Sequence, residues 1–258
     1  MDDIAITDPC IVFALAREAR PFLREFRPHT KVADAPCWAS FCGPSWLSVL
    51  VLQIGIGPER ADKAMSWLMQ PAKLDSVSLQ PKVILSVGFA GATTDEYHVG
   101  DIVLADEVVN EAGEVWPTTW PGDLPPGPWQ PALHRGRVLT VAKAIGDPNE
   151  KRRLGQAHGA IALDMETATV ARWCARHEVP FGAVRAISDE AATTLPSRLL
   201  SLLGTGRVSP ARVLRATITS PSLLPRLFRL ARDTRRAATQ LSRALGELLT
   251  LTTPLGEP

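Results

Sequence analysis

The clearest chemical signal lies in the segment 163–191, where two carboxylates stand at the ends of predicted elements. Glu166 lies at the start of Met165–His177, which has helical periodicity, and Asp189 follows the apolar run Phe181–Ile187, which is typical of a buried strand. A β-α-β unit would bring both carboxylates to the edge of the sheet where open α/β proteins bind ligands. Two carboxylates that flank one bond can act as general acid and general base.

Four groups of motifs resemble the nucleoside phosphorylase/nucleosidase superfamily, and they are most similar to the 5′-methylthioadenosine/S-adenosylhomocysteine nucleosidases. They are ALAREA (14–19), IGIGPERA (54–61), GFAGA with VGDIVLADEV (88–108), and DMETATVARWC with VPFGAVRAISD (164–189). Each motif alone is a weak signal, but together they occur in the family's order and cover about residues 10–190. The resemblance implies an enzyme that cleaves the N-glycosidic bond of a purine, adenine-type nucleoside and releases the free base.

The resemblance also implies roles for individual residues. Glu18 would be the base that activates water, and Asp189 would be the acid that protonates the leaving purine. Glu166 would bind the ribose hydroxyls. The remaining expected substrate-binding residues are Met165, Ser188, Phe89, Gly91 and Ile145. The structural alternative for Glu18 is a solvent-facing acid in the first turn of a helix.

The attacking nucleophile is predicted to be water, which would give a free ribose sugar as product. In related phosphorylases an Arg and a Ser near the GFAGA segment help to hold phosphate, and here Ser86 and Phe89 stand at those positions. Neither side chain is a cation that could donate two hydrogen bonds to phosphate. Phosphorolysis is still an alternative, because Arg17, Arg20 or Arg60 could bind phosphate in this way. The non-enzymatic alternative is a nucleoside-binding module.

Alternating apolar strands and amphipathic helices predict the elements that must position these residues. Predicted strands are Cys10–Leu15, Trp46–Ile54, Val83–Val87, Asp101–Val109, Val138–Val141 and Phe181–Ile187; the accompanying helices are Glu18–Phe26, Glu59–Met69, Asn149–His158 and Met165–His177. The pattern predicts an α/β fold, and the resemblance implies its three-layer αβα form with a mixed central sheet. The proline-rich stretch Glu114–Pro131 is predicted to form neither helix nor sheet.

The last quarter of the chain differs in charge from the rest. Residues 198–258 contain ten Arg, no Lys and three acidic residues, a net charge of +7. We expect a catalytic domain over residues 1–206 and an Arg-rich helical extension over 207–258, with one long amphipathic helix at Ser222–Leu249. This helix would pack on its own domain or on a partner subunit, or it would lie on an anionic membrane. The tail LPRLFRLARDTRRA also resembles the hopanoid-associated branch of the superfamily, which implies a phosphorylase acting on an adenosylated hopanoid lipid.

The composition of the chain limits the kinds of partner and cofactor that it is expected to bind. The formal net charge of +1 predicts no nucleic-acid partner, and the four Cys lack the paired spacing of a zinc site. We therefore expect no metal and no cofactor, with a small nucleoside as substrate. No run approaches the length of a membrane span, and the Cys pattern favours a reducing compartment. A cytoplasmic homodimer or other homo-oligomer is expected, with the inner membrane face as a possible site of peripheral contact.

Overall fold

The computed structural model describes residues 9–32, 35–42, 49–68, 73–74, 77–78, 81–119, 130–195 and 224–252. Its strands are β1 (Cys10–Phe13), β2 (His29–Lys31), β3 (Trp38–Cys42), β4 (Val49–Gln53), β5 (Lys73–Leu74), β6 (Val77–Ser78), β7 (Ile84–Ala92), β8 (Ile102–Asn110), β9 (Val115–Pro117), β10 (Leu133–Thr140), β11 (Ala160–Asp164) and β12 (Phe181–Asp189). Its helices are α1 (Ala16–Glu25), α2 (Pro58–Leu68), α3 (Pro148–His158), α4 (Thr167–Arg176) and α5 (Leu224–Thr252).

A mixed sheet forms the middle layer, in the order β11-β10-β8-β12-β7-β1-β4-β3-β2, with β9 paired to β8. Strand β7 lies near its centre, parallel to β1 on one side and to β12 on the other. Strand β11 also pairs antiparallel with β7, so β7, β12, β8, β10 and β11 close into a ring. The carboxyl ends of β1, β7 and β12 therefore lie together, which is where the fold can hold a ligand.

Helices cover both faces of the sheet. Helices α2 and α4 pack in one apolar core, which includes Met65 and Val170, while α1 and α5 pack in the other, which includes Phe22 and Leu241. Apolar residues at helical spacing explain both layers, because each helix buries one stripe against the sheet. The predicted three-layer αβα fold is confirmed.

Several predicted elements have different bounds in the structure. Strand β7 runs through the segment GFAGA, so Phe89 and Gly91 lie on a strand rather than in a loop. Strand β9 (Val115–Pro117) lies within the stretch predicted to be irregular and pairs antiparallel with β8. That prediction was wrong because a proline is tolerated at the margin of a sheet, where its missing N–H is not needed. Strands β2 and β3 were not predicted from the pattern.

The C-terminal helix α5 joins the main fold through its second half. Its buried residues recur at helical spacing and face α1 and β12: Ala237, Ala238, Leu241, Ala244, Leu245, Leu248 and Leu249. The arginines Arg226, Arg229, Arg232, Arg235, Arg236 and Arg243 are exposed, as the amphipathic pattern predicts. The first half is different, since Phe228 is 72% exposed. The predicted domain boundary at 206/207 and the segment Leu199–Gly206 lie outside the described residues.

None of the helices in the described part of the chain combines the length and the apolar character needed to cross a bilayer. Within the same residues, no three His, Cys, Asp or Glu side chains lie together in a way that could hold a metal ion.

The packing of α5 predicts that its buried face stabilises the whole fold. The substitution Leu245→Ala should lower the free energy of unfolding by about 2–5 kcal/mol, because Leu245 is fully buried and its loss leaves a cavity. Urea denaturation followed by tryptophan fluorescence measures this change. Phe228→Ala on the same helix is the control and should change stability by about 0.5 kcal/mol or less. Equal, small effects of both substitutions would show that α5 does not contribute to the core.

Candidate active site

One cavity at the carboxyl ends of the central strands contains every residue expected to act on a substrate. Its lining includes Glu18, Phe89, Gly91, Ile145, Met165, Glu166, Ser188 and Asp189. They come from the start of α1, from β7, from the turn after β10, from the β11–α4 junction and from the end of β12. The ring of strands therefore brings together residues separated by more than half of the chain.

Glu18 lies at the floor of the cavity and is 4% exposed. Its carboxylate accepts hydrogen bonds from the backbone N–H groups of Leu15 (2.7 Å) and Phe89 (3.1 Å). Leu15 is the N-cap of α1 and has no acceptor side chain, so its side-chain capping contact with Glu18 is this bond from its backbone N–H, which stabilises the helix start. A Cβ at Gly88 would lie 3.1 Å from the Glu18 carboxylate, which explains a glycine there. Burial raises the pKa of Glu18, and the two N–H groups and nearby Arg side chains oppose that rise.

Glu166 stands at the N-terminus of α4, and its carboxylate reaches across the cavity to the turn after β4. It accepts a hydrogen bond from the backbone N–H of Gly57 (3.1 Å), whose φ of +100° favours glycine. The glycine turn between β4 and α2 thus binds a side chain of the protein. Burial, followed by the negative charges of Asp164 and Glu18, raises the pKa of Glu166 to about 8.

Asp189 is the last residue of β12, and three neighbouring residues restrict the position of its carboxylate. Ser188 donates its hydroxyl to one carboxylate oxygen (2.8 Å), and the ammonium of Lys151 forms an ion pair with the other. A Cβ at Gly91 would lie 2.9 Å from that second oxygen, so only glycine leaves room for the carboxylate. The side chain of Asp189 is 13% exposed, and it lines the cavity.

A buried arginine lies beneath the carboxylates. Arg185 on β12 is 3% exposed and donates from Nε to Asp164 (2.9 Å) and from Nη2 to Ser86 Oγ (2.7 Å). Its other N–H groups bond the carbonyls of Ser86 and Val184 and the hydroxyl of Thr167. All five guanidinium donors are therefore used within the protein.

A small second cavity lies between this arginine and the acidic floor. Glu18, Ser86, Gly88, Glu166 and Arg185 are among its lining residues. Its volume of about 10 Å³ is roughly what one water molecule needs. This space differs from an anion site, because phosphate is larger and Arg185 has no free donor for it.

The residues that line the main cavity after β12 and from α5, here called its upper wall, are two leucines and a threonine. Leu195 lines it after β12, and Leu230 and Thr234 line it from α5, so the C-terminal helix takes part in the site. Phe89 is the aromatic side chain among the described lining residues, and the guanidinium of Arg17 lies 5.8 Å from the centre of its ring. A planar base could therefore contact Phe89.

Sequence reasoning missed the charged residues that support the site. Arg185 did carry a signal, since a charged residue inside the apolar run of a central strand must have buried partners. Lys151 carried none, because it lies in the charged segment EKRR and resembles a surface residue. It is 1% exposed in the structure.

An α/β fold whose carboxylates gather in one cavity at the strand ends has the architecture of an enzyme that binds a ligand there. Residues 10–200 match the family described as the phosphorylase superfamily, and the chain belongs to that superfamily. A 5′-methylthioadenosine/S-adenosylhomocysteine nucleosidase of Staphylococcus aureus strain JH9 is 24% identical over 192 residues, covering 66% of this chain and 81% of the relative. Hydrolases are thus among its relatives.

Solved structures share the fold at low sequence identity. A Helicobacter pylori 5′-methylthioadenosine/S-adenosylhomocysteine nucleosidase matches with a TM-score of 0.68 and 15% identity over 96% of this chain and 99% of the other. Futalosine hydrolase of the same organism also gives a TM-score of 0.68, with 14% identity over 95% of this chain and 98% of the other. Two hydrolases with different names thus share this architecture.

The raised pKa of Glu166 predicts a pH dependence of stability. Between the ordinary glutamate value and about pH 8 the folded protein keeps a proton that the unfolded chain releases, so stability falls as pH rises. The loss is at most about 1.4 kcal/mol per pH unit. Glu166→Gln removes this contribution, so the variant should gain stability relative to the unmodified protein as pH rises from about 5 to 8.

Urea denaturation of both proteins at several pH values measures that gain. Glu18 also has a raised pKa and is present in both proteins, so the comparison measures Glu166 together with its repulsion from Glu18. Parallel stability curves across this range would contradict a buried, proton-holding Glu166.

Proposed function

We propose that this enzyme hydrolyses the N-glycosidic bond of a purine nucleoside of the adenine type. The observation that carries the proposal is the convergence of Glu18, Glu166 and Asp189 on one cavity, each with different partners. Hydrolysis of this bond needs three actions: neutralising the base, stabilising the sugar cation and delivering water. The nucleosidase relative from Staphylococcus aureus supports the same reaction class.

Asp189 would act at the purine. As the bond between sugar and base breaks, its electron pair moves into the base, and a proton from the Asp189 carboxyl neutralises a ring nitrogen. The hydroxyl of Ser188 would orient the carboxyl. Phe89, Gly91 and Ile145 would form the surfaces against which the base lies.

Glu166 would act at the ribose. A carboxylate in this position can accept hydrogen bonds from sugar hydroxyls and stabilise positive charge on the ring as the base departs. The rise of its pKa to about 8 makes the ionised form costly in the empty cavity, and a developing sugar cation would offset that cost. Met165 would pack against the sugar.

Glu18 would take the proton of the attacking water. The small cavity beside it has room for about one water molecule, and Glu18 forms part of its wall. Water rather than phosphate is the nucleophile in this proposal because all five donors of Arg185 are already used. Of the three arginines that could bind phosphate instead, Arg17 lines the main cavity. Phosphorolysis, including that of an adenosylated hopanoid lipid, is the alternative.

The apolar upper wall favours an uncharged, apolar group at the sugar's 5′ position. Leu195 and Leu230 would contact that group, which favours 5′-methylthioadenosine over a substrate with a charged 5′ chain. S-adenosylhomocysteine and futalosine, which appear in the names of the relatives' activities, are the comparison substrates.

The assay for this proposal measures base release from adenosine, methylthioadenosine, S-adenosylhomocysteine and futalosine, with and without phosphate. We expect phosphate-independent release and free ribose sugar as product. Asp189→Asn should lower turnover by about 10²–10⁴-fold, because an amide can hydrogen-bond the base but cannot transfer a proton. Glu190→Gln is the matched control, since Glu190 is adjacent and its side chain is 44% exposed and contacts His98.

Three outcomes of this assay would contradict the proposal. Strict dependence on phosphate would make the enzyme a phosphorylase. Unchanged turnover in a folded Asp189→Asn protein would remove Asp189 from the mechanism, and no turnover of any nucleoside by the unmodified enzyme would favour a binding module.

A peripheral membrane contact through α5 is a second part of the proposal. The first half of the helix exposes Phe228 between Arg226, Arg229 and Arg232, a combination that can insert one ring and attract anionic lipid. Leu230 of the same half lines the cavity, so a substrate anchored in lipid would meet the site from this side. Homo-oligomer formation, cytoplasmic location and the narrower hopanoid resemblance stay predictions.

Vesicle sedimentation tests the membrane contact. We expect binding to phosphatidylglycerol vesicles, weak binding to phosphatidylcholine vesicles, and loss of binding when Arg226, Arg229 and Arg232 are all replaced by Gln. Substitution is preferable to truncation because the second half of α5 belongs to the core. Equal sedimentation of the two proteins would reject the membrane contact.

A further inference from the structure

The buried lysine at the acid end of the cavity has no role in the reaction described so far. Lys151 lies in the first half of α3, is 1% exposed, and pairs with Asp189. Its ammonium also donates to the backbone carbonyls of Glu190 (3.1 Å) and Thr193 (3.5 Å). All three ammonium protons thus have acceptors, and one of those acceptors is the carboxylate assigned to the leaving base.

The surroundings of Asp189 leave its carboxylate few other contacts. Ser188 occupies one carboxylate oxygen, and Gly91 lies against the other with no space for a side chain. The remaining open direction is the cavity. The departing base needs a proton through Asp189, and the Lys151 ammonium is a proton donor in direct contact with that carboxylate.

We propose that Lys151 is a positioning residue that supplies the proton which Asp189 passes to the purine; this rests on the proposed function. When the bond between sugar and base breaks, a base nitrogen takes a proton from Asp189, and Asp189 takes one from the Lys151 ammonium. Lys151 is left as a neutral amine. The proton that water gives up during attack goes to Glu18, and solvent restores both groups through the open cavity after the products leave.

The ion pair also explains why such a lysine is tolerated in the interior. A buried ammonium is costly without a partner, and a buried carboxylate is equally costly, so each stabilises the other. The bonds to Glu190 and Thr193 tie the chain after β12 to α3, which fixes where Asp189 points. Lys151 therefore acts on the substrate only through Asp189.

The first test compares two leaving groups. Lys151→Met should lower turnover of the purine nucleoside by about 10²–10⁴-fold, the usual contribution of acid catalysis. Hydrolysis of 4-nitrophenyl β-D-ribofuranoside, whose leaving group departs without a proton, should fall by less than about tenfold. Arg152→Met is the matched control on the same helix, because Arg152 forms an exposed ion pair with Asp95 away from the cavity. It should change neither activity.

The second test is a double-mutant cycle, which also covers the case in which Lys151→Met alone does not fold. Asp189→Asn combined with Lys151→Met leaves no unpaired buried charge. If Lys151 acts through Asp189, the double variant should turn over the purine nucleoside within about threefold of Asp189→Asn alone.

The results of these two tests distinguish a failure of this inference from a failure of the proposed function. Equal losses on both leaving groups, or an additional large loss in the double variant, would overturn the role of Lys151 while the hydrolase assignment stands. No cleavage of any nucleoside by the unmodified enzyme would overturn the proposed function itself, and the inference with it.

Discussion

The buried guanidinium of Arg185 is the interaction on which the site depends. Its hydrogen bonds connect β12 to Ser86 on β7 and to Asp164 at the end of β11, so one side chain links three strands of the ring. Asp164 in turn accepts hydrogen bonds from Thr140 (2.6 Å) and from the backbone N–H of Thr167 (3.1 Å). A buried charge is tolerated only when its donors are satisfied, and here all of them are.

This network also affects the carboxylates that line the cavity. Glu18 and Glu166 lie above Arg185, close enough that its charge opposes the rise of both pKa values. Asp164 has the opposite effect on Glu166 and raises its pKa. The cavity thus contains carboxylates in distinct environments, which is how one site can offer both an acid and a base.

Pattern-based prediction worked where local chemistry decides the outcome. The central strands β1, β7 and β12 are short apolar runs, and the amphipathic helices show their periodicity directly, so the three-layer fold could be predicted. Most of the eight site residues that the family resemblance implies lie at the ends of such elements, whereas Phe89 lies within β7 and Ile145 in the turn after β10. Parallel strands bring those ends to one edge, and the structure places all eight at one cavity. The short strands β2, β3 and β9 were missed, because the hydrophobic pattern of the sequence is weak there.

The sequence by itself determined the order of strands and helices, the motifs at their ends and the amphipathic character of α5. Only the tertiary structure decided which polar groups meet. Lys151 and Asp189 are 38 residues apart, Ser86 and Arg185 are 99 apart, and Gly57 and Glu166 are 109 apart. Periodicity describes which face of its own element a residue occupies. Pairings across such separations depend instead on strand order and register, which arise only when the sheet closes.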